Sequence, residues 1–501
     1  MMKDKKVSIP LLNVISSILL QFVTIISGFV IPKIILSVFS SEVNGLVSSL
    51  NQFLNYISLL EGGLAGVVMA NLYQPLAKKD DKKISSIIKT TKKFYHNISI
   101  IFIIYTILLS IIYPLVIKTS FTFSYIFSLS VILSITLFVQ YNFSLSLRLL
   151  LQADKKVYIV SFTQIALTLI NVILFYVFSK FFPSIHFLKL ISAAIFLLQP
   201  LIYHIYIRKY YKLEKEIEED DSLTKSRWDG LAINIAAFIH NSTDIAILTI
   251  FTNLKVVSVY SIYSLVTIGL KKMITSISAG LTPSIGHLYA KGNQKELNEK
   301  FELYEFMVFF VTFFLFTVGG LLITSFVLLY TKNVTDINYN EPLFGILIII
   351  AEMIFCLREP YVSIAYTANK FKEMKKVAYI EAVINIVISV ILVSNFGLAG
   401  VAIGTILSLL YRTLYHVVYL KDHILNRSVL EFVKKVLLFT TLSAIGIIIC
   451  KQFFSSSINT VIDFIKSGLL YSIVIMTLYI AGCMVFYRDN LKNIKKCSSR
   501  K

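Results

Sequence analysis

Residues 78–117 read KKDDKKISSIIKTTKKFYHNISIIFIIYTILLSIIYPLVI, and this stretch decides the class of the chain. Seven lysines crowd into 78–93, the run 95–117 carries no charged residue at all, and Lys118 stands alone beyond it. A helix needs about 20 apolar residues to cross the hydrocarbon core of a bilayer. The stretch therefore predicts one crossing with a strongly basic flank on one side only. Working outward in both directions, the same alternation gives fourteen spans: 12–38, 44–77, 95–117, 124–151, 157–179, 188–207, 229–252, 256–285, 302–330, 343–366, 376–395, 397–419, 435–453 and 466–486. A hydrophobic fraction of 56% and a mean hydropathy of +0.76 agree. The expected fold is an all-α membrane protein.

The basic residues set the orientation. With the N-terminus inside, 35 of the 48 Lys and Arg fall in the inner segments, against five (Lys118, Lys180, Lys255, Lys332, Lys451) in the outer loops. Basic loops resist translocation, so both termini are expected in the cytoplasm and the chain in a cell membrane as a multi-pass protein. A net charge of +20 otherwise suggests a nucleic-acid partner. Spread over eight inner segments, it reads as topology plus attraction to anionic lipid, with no nucleic acid. The first apolar stretch is too long for the core of a cleaved signal, and no A-x-A site follows it. Cys356, Cys450, Cys483 and Cys497 have no metal spacing, and there is no phosphate-binding G-x-x-x-x-G-K-[ST] loop. The outer loops, such as TKNVTDINYNEP, are too short for a catalytic domain, so no enzyme is expected.

The polar segment 208–228 (RKYYKLEKEIEEDDSLTKSR within it) is the expected linker between lobes 1–207 and 229–423, with 424–501 holding spans 13 and 14 and a cytoplasmic tail. The lobes resemble each other: Leu72-Tyr73 and Leu288-Tyr289 match at an offset of 216, and spans 5 and 11 both follow Lys-Lys-Val. Both lobes start outward, so the repeat is parallel. Gly62, Gly63, Gly66 and Pro75 in span 2, and Gly280, Pro283 and Gly286 in span 8, predict breaks at matching places.

Polar stripes mark the same four spans. Asn44, Ser48, Asn51, Asn55, Ser58 and Gly62 share one face of span 2, and Ser261, Ser264, Lys271, Thr275, Ser278 and Thr282 one face of span 8. Span 1 carries Asn13, Ser17, Gln21, Thr24 and Gly28; span 7 carries Asn234, Asn241 and Asp244. One reading is glue between helices; the other is a shared hydrated cavity lined by spans 1, 2, 7 and 8. Lys271 and Lys272 lie mid-span, where an unpaired lysine costs about 2.5–3.5 kcal/mol, so Lys271 is expected to face water or an anion. Asp244 is either a buried partner for Lys271 or Lys272, or an ion- or proton-coupling site. Glu61 either lines the cavity or hinges span 2. On spans 10 and 11, Glu352, Arg358, Glu359 and Glu381 form a second group, with Arg358 and the acids read as a structural ion pair. Arg148 and Arg412 are expected to snorkel, and Lys33 either snorkels or receives an anionic headgroup at the outer end. No histidine cluster suggests a metal.

Three stretches carry a family resemblance. NVISSILLQFVTIISGFVIPKIILSVFSSEVNGLVSSLNQFLNYISLLEGGL, HNSTDIAILTIFTNLKVVSVYSIYSLV and LREPYVSIAYTANKFKEMKKVAYIEAVINIVISVILVSNFGLAGVAIGTILSLLYRTLYHVVYL resemble the bacterial polysaccharide flippases, in order and across the chain. The wider superfamily holds the MATE multidrug exporters and the lipid II flippases. The resemblance implies a MATE-like arrangement of two six-helix lobes plus spans 13 and 14, which shape a groove for a lipid tail. It implies export of an undecaprenyl-pyrophosphate-linked oligosaccharide through a cationic cavity, with Lys271, joined by Lys272 and Lys33, in the cationic role. Asn51, Asn55, Asn241, Gln21 and Thr24 would meet the sugars. Implied partners are that substrate, membrane lipids and polysaccharide-assembly proteins; no cofactor is implied beyond a coupling cation, Na+ or H+. The lipid II branch has an arginine pair low in its first helix, where this chain has Gln21 and Thr24, which argues against lipid II itself. The rival readings are a cation-coupled drug exporter and, further off, a polysaccharide polymerase or ligase.

Overall fold

Each apolar stretch becomes a helix because hydrocarbon offers no partner to a bare peptide group, and a helix satisfies its own. The structure, a computed structural model, describes residues 8–61, 63–214, 217–218, 242–454 and 458–487. All regular elements among these residues are helical. The chain forms two compact units, Met1–Ser258 and Val259–Lys501.

The first unit contains α1 (Ile9–Val38), α2 (Ser41–Leu54), α3 (Leu64–Lys78), α4 (Asp81–Val116), α5 (Phe123–Val139), α6 (Leu145–Ala153), α7 (Val157–Phe181), α8 (Ile185–Phe196), α9 (Leu198–Tyr210) and α10 (Ser242–Phe251). Pro10 starts α1, where its missing N–H costs nothing. Leu11, Val14, Ile18 and Phe22 along α1 stay exposed, as lipid-facing side chains do, while its other side packs on α7. Asn13 fastens that contact: its Nδ2 donates to the Lys155 carbonyl at 2.8 Å, and its Oδ1 accepts from Tyr158 N at 2.9 Å. Pairs of short helices make single crossings, α5 with α6 through a π turn at Gln140–Ser144, and α8 with α9.

Span 2 is broken as expected. α2 runs into a 3-10 segment, Asn55–Glu61, and α3 resumes at an angle of 46°. Gly63 takes φ +81°, which a Cβ would strain, so the bend falls where the sequence supplies glycine. Gly45 has a different reason: a Cβ there would sit 1.7 Å from the Leu254 carbonyl oxygen.

The second unit is built from α11 (Leu254–Ala290, its first turn still in the first unit), α12 (Gln294–Tyr330), α13 (Pro342–Thr367), α14 (Phe371–Leu420), α15 (Val429–Phe453) and α16 (Val461–Phe486). The expected break in span 8 does not occur. α11 runs as one helix through Pro283, because proline removes only one backbone donor and neighbouring groups in a bundle re-satisfy the freed carbonyl. α14 is two crossings joined at Gly397 (φ +51°, ψ −124°), the boundary between spans 11 and 12. Gly404 lets the arms close, since a Cβ there would meet Ser389 Oγ at 2.2 Å.

Ten helices of the described residues are long and apolar enough to cross a membrane, and α2 with α3 makes an eleventh span. The remaining expected crossings are the second arm of α14, the charge-diluted α13, and the span ending in α10, whose residues 229–241 lie outside the described residues. The chain is a multi-pass membrane protein of fourteen-helix design.

α15 and α16 are fixed to α12. Thr317 Oγ1 donates to Ser443 Oγ at 2.9 Å, and Tyr479 Oη lies 3.2 Å from the same threonine. Fully buried Glu305 on α12 accepts from Lys435 Nζ at 2.6 Å and Arg427 Nη1 at 2.6 Å, and Tyr361 also donates to it.

Candidate functional site

The charged residues expected on spans 8, 10, 11 and 12 meet in the second unit. Lys271 is on α11, and its Nζ lies 2.9 Å from Glu352 Oε2 on α13; the two side chains are 15% and 16% exposed. One turn along α13, the Phe355 ring lies 4.7 Å from Lys271 Nζ and 5.0 Å from the Arg358 guanidinium. Arg358 donates to Glu381 at 3.1 Å, and Arg412 donates to the other oxygen of the same carboxylate. Glu359 sits in the field of Arg358, Lys271 and Arg412. Asn385 donates to Thr405 at 3.0 Å across the α14 hairpin, and buried His416 is hydrogen-bonded to the Arg412 carbonyl.

Four spans are therefore joined by alternating charge at membrane depth. Charges in hydrocarbon are retained only when paired or hydrated, and Lys271, Arg358 and Arg412 each have their countercharge on a different span. Lys271 and Glu352 form the partly exposed end of this chain; Arg358, Glu381 and Arg412 form its closed end. Arg412 corrects the sequence reading. Its side chain is 5% exposed and turned inward onto Glu381 rather than out toward an interface. Glu352 was grouped with the second cluster, and its contact with Lys271 was not foreseen. Both lie within about a turn of the same depth when counted back from Ala290 and Thr367, the C-terminal ends of their helices.

Two residues of the α11 polar stripe, Lys271 and Thr282, reach side chains on α13. Thr282 Oγ1 donates to Ser363 Oγ at 3.0 Å, Thr275 and Ser264 bond back to their own helix, and Lys272 is half-buried beside Lys271. In the first unit the stripe of α2 divides. Asn44 Nδ2 donates to Ser258 Oγ at 2.8 Å and is fully packed, which is glue. Farther along, Asn51 is half-buried and Asn55 is exposed in the 3-10 segment. Gln21 and Thr24 on α1 are exposed, and Lys33, after Pro32, is half-buried.

Glu61 ends the 3-10 segment, accepts from Tyr95 Oη at 3.0 Å and lies in the field of Arg148. That places it at the bend, tied to α4. Asp244 on α10 is buried, close enough to act on Tyr56, whose Oη donates to the Ser242 carbonyl at 2.9 Å. Asn241 and Asn234 lie outside the described residues. The buried Glu305–Lys435–Arg427 group was missed, because Lys435 and Arg427 were counted as inner-loop cations. Glu305, three residues inside an apolar span, was the signal.

No family model and no curated protein sequence matches this chain. Solved structures do. A lipid II flippase, MurJ in an inward closed conformation, is 15% identical, with a TM-score of 0.74 over 96% of this chain and 99% of that one. An inward-facing multidrug resistance MATE family transporter of the MOP superfamily is 13% identical, with a TM-score of 0.56 over 79% of this chain and 94% of that one. The eukaryotic MATE transporter AtDTX14 is 14% identical, with a TM-score of 0.53 over 82% of this chain and 96% of that one. The chain has the MurJ- and MATE-like membrane transporter fold.

Proposed function

We propose that this protein is a flippase that carries an undecaprenyl-pyrophosphate-linked oligosaccharide from the cytoplasmic to the outer leaflet by alternating access, for a surface polysaccharide. One observation carries the choice within the fold. The likeness to the lipid II flippase runs over 96% of this chain, whereas the two MATE likenesses leave about a fifth uncovered. A mid-membrane lysine adds to it, since a cation exporter gains nothing from a fixed positive charge in its path.

The pair on α11 and α13 suggests how an anion is handled. Glu352 holds Lys271 at 2.9 Å, so the lysine is charge-compensated at rest and is tolerable in the membrane. An arriving diphosphate carries more negative charge than one carboxylate and competes for the same ammonium. Asp244 and Glu61 are the acids proposed for coupling to H+ or Na+. Lys272 and Lys33 are additional cations for the phosphates, and Asn51, Asn55, Gln21, Thr24 and Asn241 supply hydrogen-bond groups for sugars. Lipid II itself is disfavoured by Gln21 and Thr24. Polysaccharide-assembly proteins are proposed as partners, and the cytoplasmic termini follow from the charge bias.

The test is reconstitution in proteoliposomes with a fluorescent polyprenyl-diphosphate oligosaccharide, following its exposure to a membrane-impermeant quencher. Time-dependent exposure that needs the protein supports the flippase. A protein that leaves this lipid static but exports a cationic dye down an imposed proton gradient is the MATE-like exporter instead.

A further inference from the structure

A cavity of about 520 Å³ opens in the first unit, away from the charged chain of the second, between the beginning of α4, α6 and the end of α9. Lys89 and Lys92 from α4 and His204 and Arg208 from α9 line it, over an apolar wall that includes Leu147. Glu214 is the acid in that lining. The cavity is preformed rather than gathered from loose side chains. Glu214 N donates to Ser85 Oγ at 3.0 Å, Lys89 Nζ donates to the Ile217 carbonyl at 2.7 Å, and Ser86 Oγ donates to the Glu218 carbonyl at 2.7 Å. Tyr211, another wall residue, donates to Asp154 at 2.5 Å, with Lys156 on the same carboxylate at 2.8 Å. Beside the cations, Leu201 and Ile205 on α9 are 56% and 69% exposed, a surface suited to acyl chains. The cavity thus presents cations next to lipid-facing hydrocarbon, on the face that the charge bias assigns to the cytoplasm.

We infer that this cavity binds the phosphate headgroup of an anionic glycerophospholipid of the cytoplasmic leaflet, with its acyl chains along α9. Basic recesses between helices on the cytoplasmic side suit such headgroups, and anionic leaflet lipids supply them at high local concentration. Lys92 and Arg208 approach from two helices and clamp the phosphate between them. The bound lipid also braces Tyr211, Leu213 and Glu214 against α4, since they form one wall. This site is independent of what the protein transports.

The test uses the full-length protein in detergent, titrated with phosphatidylglycerol and with phosphatidylcholine of identical chains, and read by native mass spectrometry and thermal stability. The wild type should retain phosphatidylglycerol roughly thirtyfold better, the size expected for two surface cations on one phosphate at about 1 kcal/mol each. Lys92→Gln with Arg208→Gln should erase that preference and the stabilisation by phosphatidylglycerol. Lys82→Gln with Lys209→Gln, the same charge change outside the cavity lining, should keep both. Equal preference in the cavity variant and the wild type overturns the site. So does loss of preference in both double variants, which would mark a diffuse charge effect. Displacement of phosphatidylglycerol by equimolar undecaprenyl diphosphate would overturn the phospholipid assignment and make the cavity a substrate port. A cavity variant that is not monodisperse is replaced by Lys92→Gln alone, for which a several-fold loss of preference is required.

Discussion

In α2 the polar stripe closes on neutral hydrogen bonds, Asn44 to Ser258 and the adjacent Ser49 to Thr249, each at 2.8 Å. In α11 the corresponding stripe closes on charge, Lys271 against Glu352 at 2.9 Å. Behind Glu352, Arg358 and Arg412 share Glu381, and Glu305 takes both Lys435 and Arg427. The backbone differs in the same sense: span 2 bends by 46° around Gly63, while α11 runs unbroken. One sequence pattern thus yields a bent element joined by neutral hydrogen bonds and an unbroken element joined by ion pairs. Neutral hydrogen bonds between membrane helices average about 0.6 kcal/mol, whereas stripping one partner from a buried ion pair costs about 3–5 kcal/mol.

The largest effect should come from Glu305→Ala. It leaves Lys435 and Arg427 buried without their shared carboxylate, and should cost about 3–5 kcal/mol. Thermal unfolding in detergent should show loss of the α12–α15 joint, and a shift no larger than that of a surface substitution would remove the contrast between the units. Glu305→Ala with Lys435→Met should recover part of the loss.

Lys271→Ala comes next and separates transport from folding. Glu352 is 16% exposed rather than sealed off, so the protein should still insert and stay monodisperse. Flipping of the diphosphate-linked lipid should fall at least about tenfold, the loss of one charge-assisted contact of about 1.5–3 kcal/mol. Lys271→Arg should retain part of it. Wild-type flipping by a well-folded Ala variant would make the lysine structural, like Arg358.

The backbone contrast has its own test. Gly63→Ala forces a Cβ into φ +81° and should cost about 1–2 kcal/mol. Gly280→Ala, inside α11 with open space around its would-be Cβ, should be neutral or stabilise by up to about 1 kcal/mol. Equal responses at the two glycines would show that span 2 is not conformationally special.

Much of the fold was legible because the bilayer makes it so. Peptide groups must be satisfied within each span, so hydropathy located the crossings, and even the hairpin at Gly397 fell between two assigned spans. Depth was legible for the same reason, which put Arg358 and Glu381 together. Azimuth was not. Whether Arg412 leaves its helix toward lipid or toward Glu381, and whether Lys271 meets α13, depends on how helices distant in sequence rotate against each other. Periodicity within one helix does not contain that information. Glu305 and Lys435 are 130 residues apart, and Lys435 looked like an ordinary loop cation because its partner lay in another span. Proline misled for a local reason: Pro283 was weighed as a break, and the helix ran through it.

The smallest effect tests the weaker side of the comparison. Asn44 and Ser258 are both buried, and their side chains meet at 2.8 Å. In water-free surroundings such a bond looks decisive, but the unfolded-in-membrane chain also finds partners for its polar groups, which trims the net gain. A double-mutant cycle of Asn44→Ala and Ser258→Ala should therefore give a coupling of about 0.6 kcal/mol, and no more than about 1.7 kcal/mol. The same cycle on Lys271 and Glu352 should give a larger coupling, because each single variant there strands a partly buried charge. If the neutral pair couples as strongly as the charged one, the stripe on α2 is as rigid a joint as that on α11. The bend at Gly63 would then be a fixed feature of span 2, not a place where it yields.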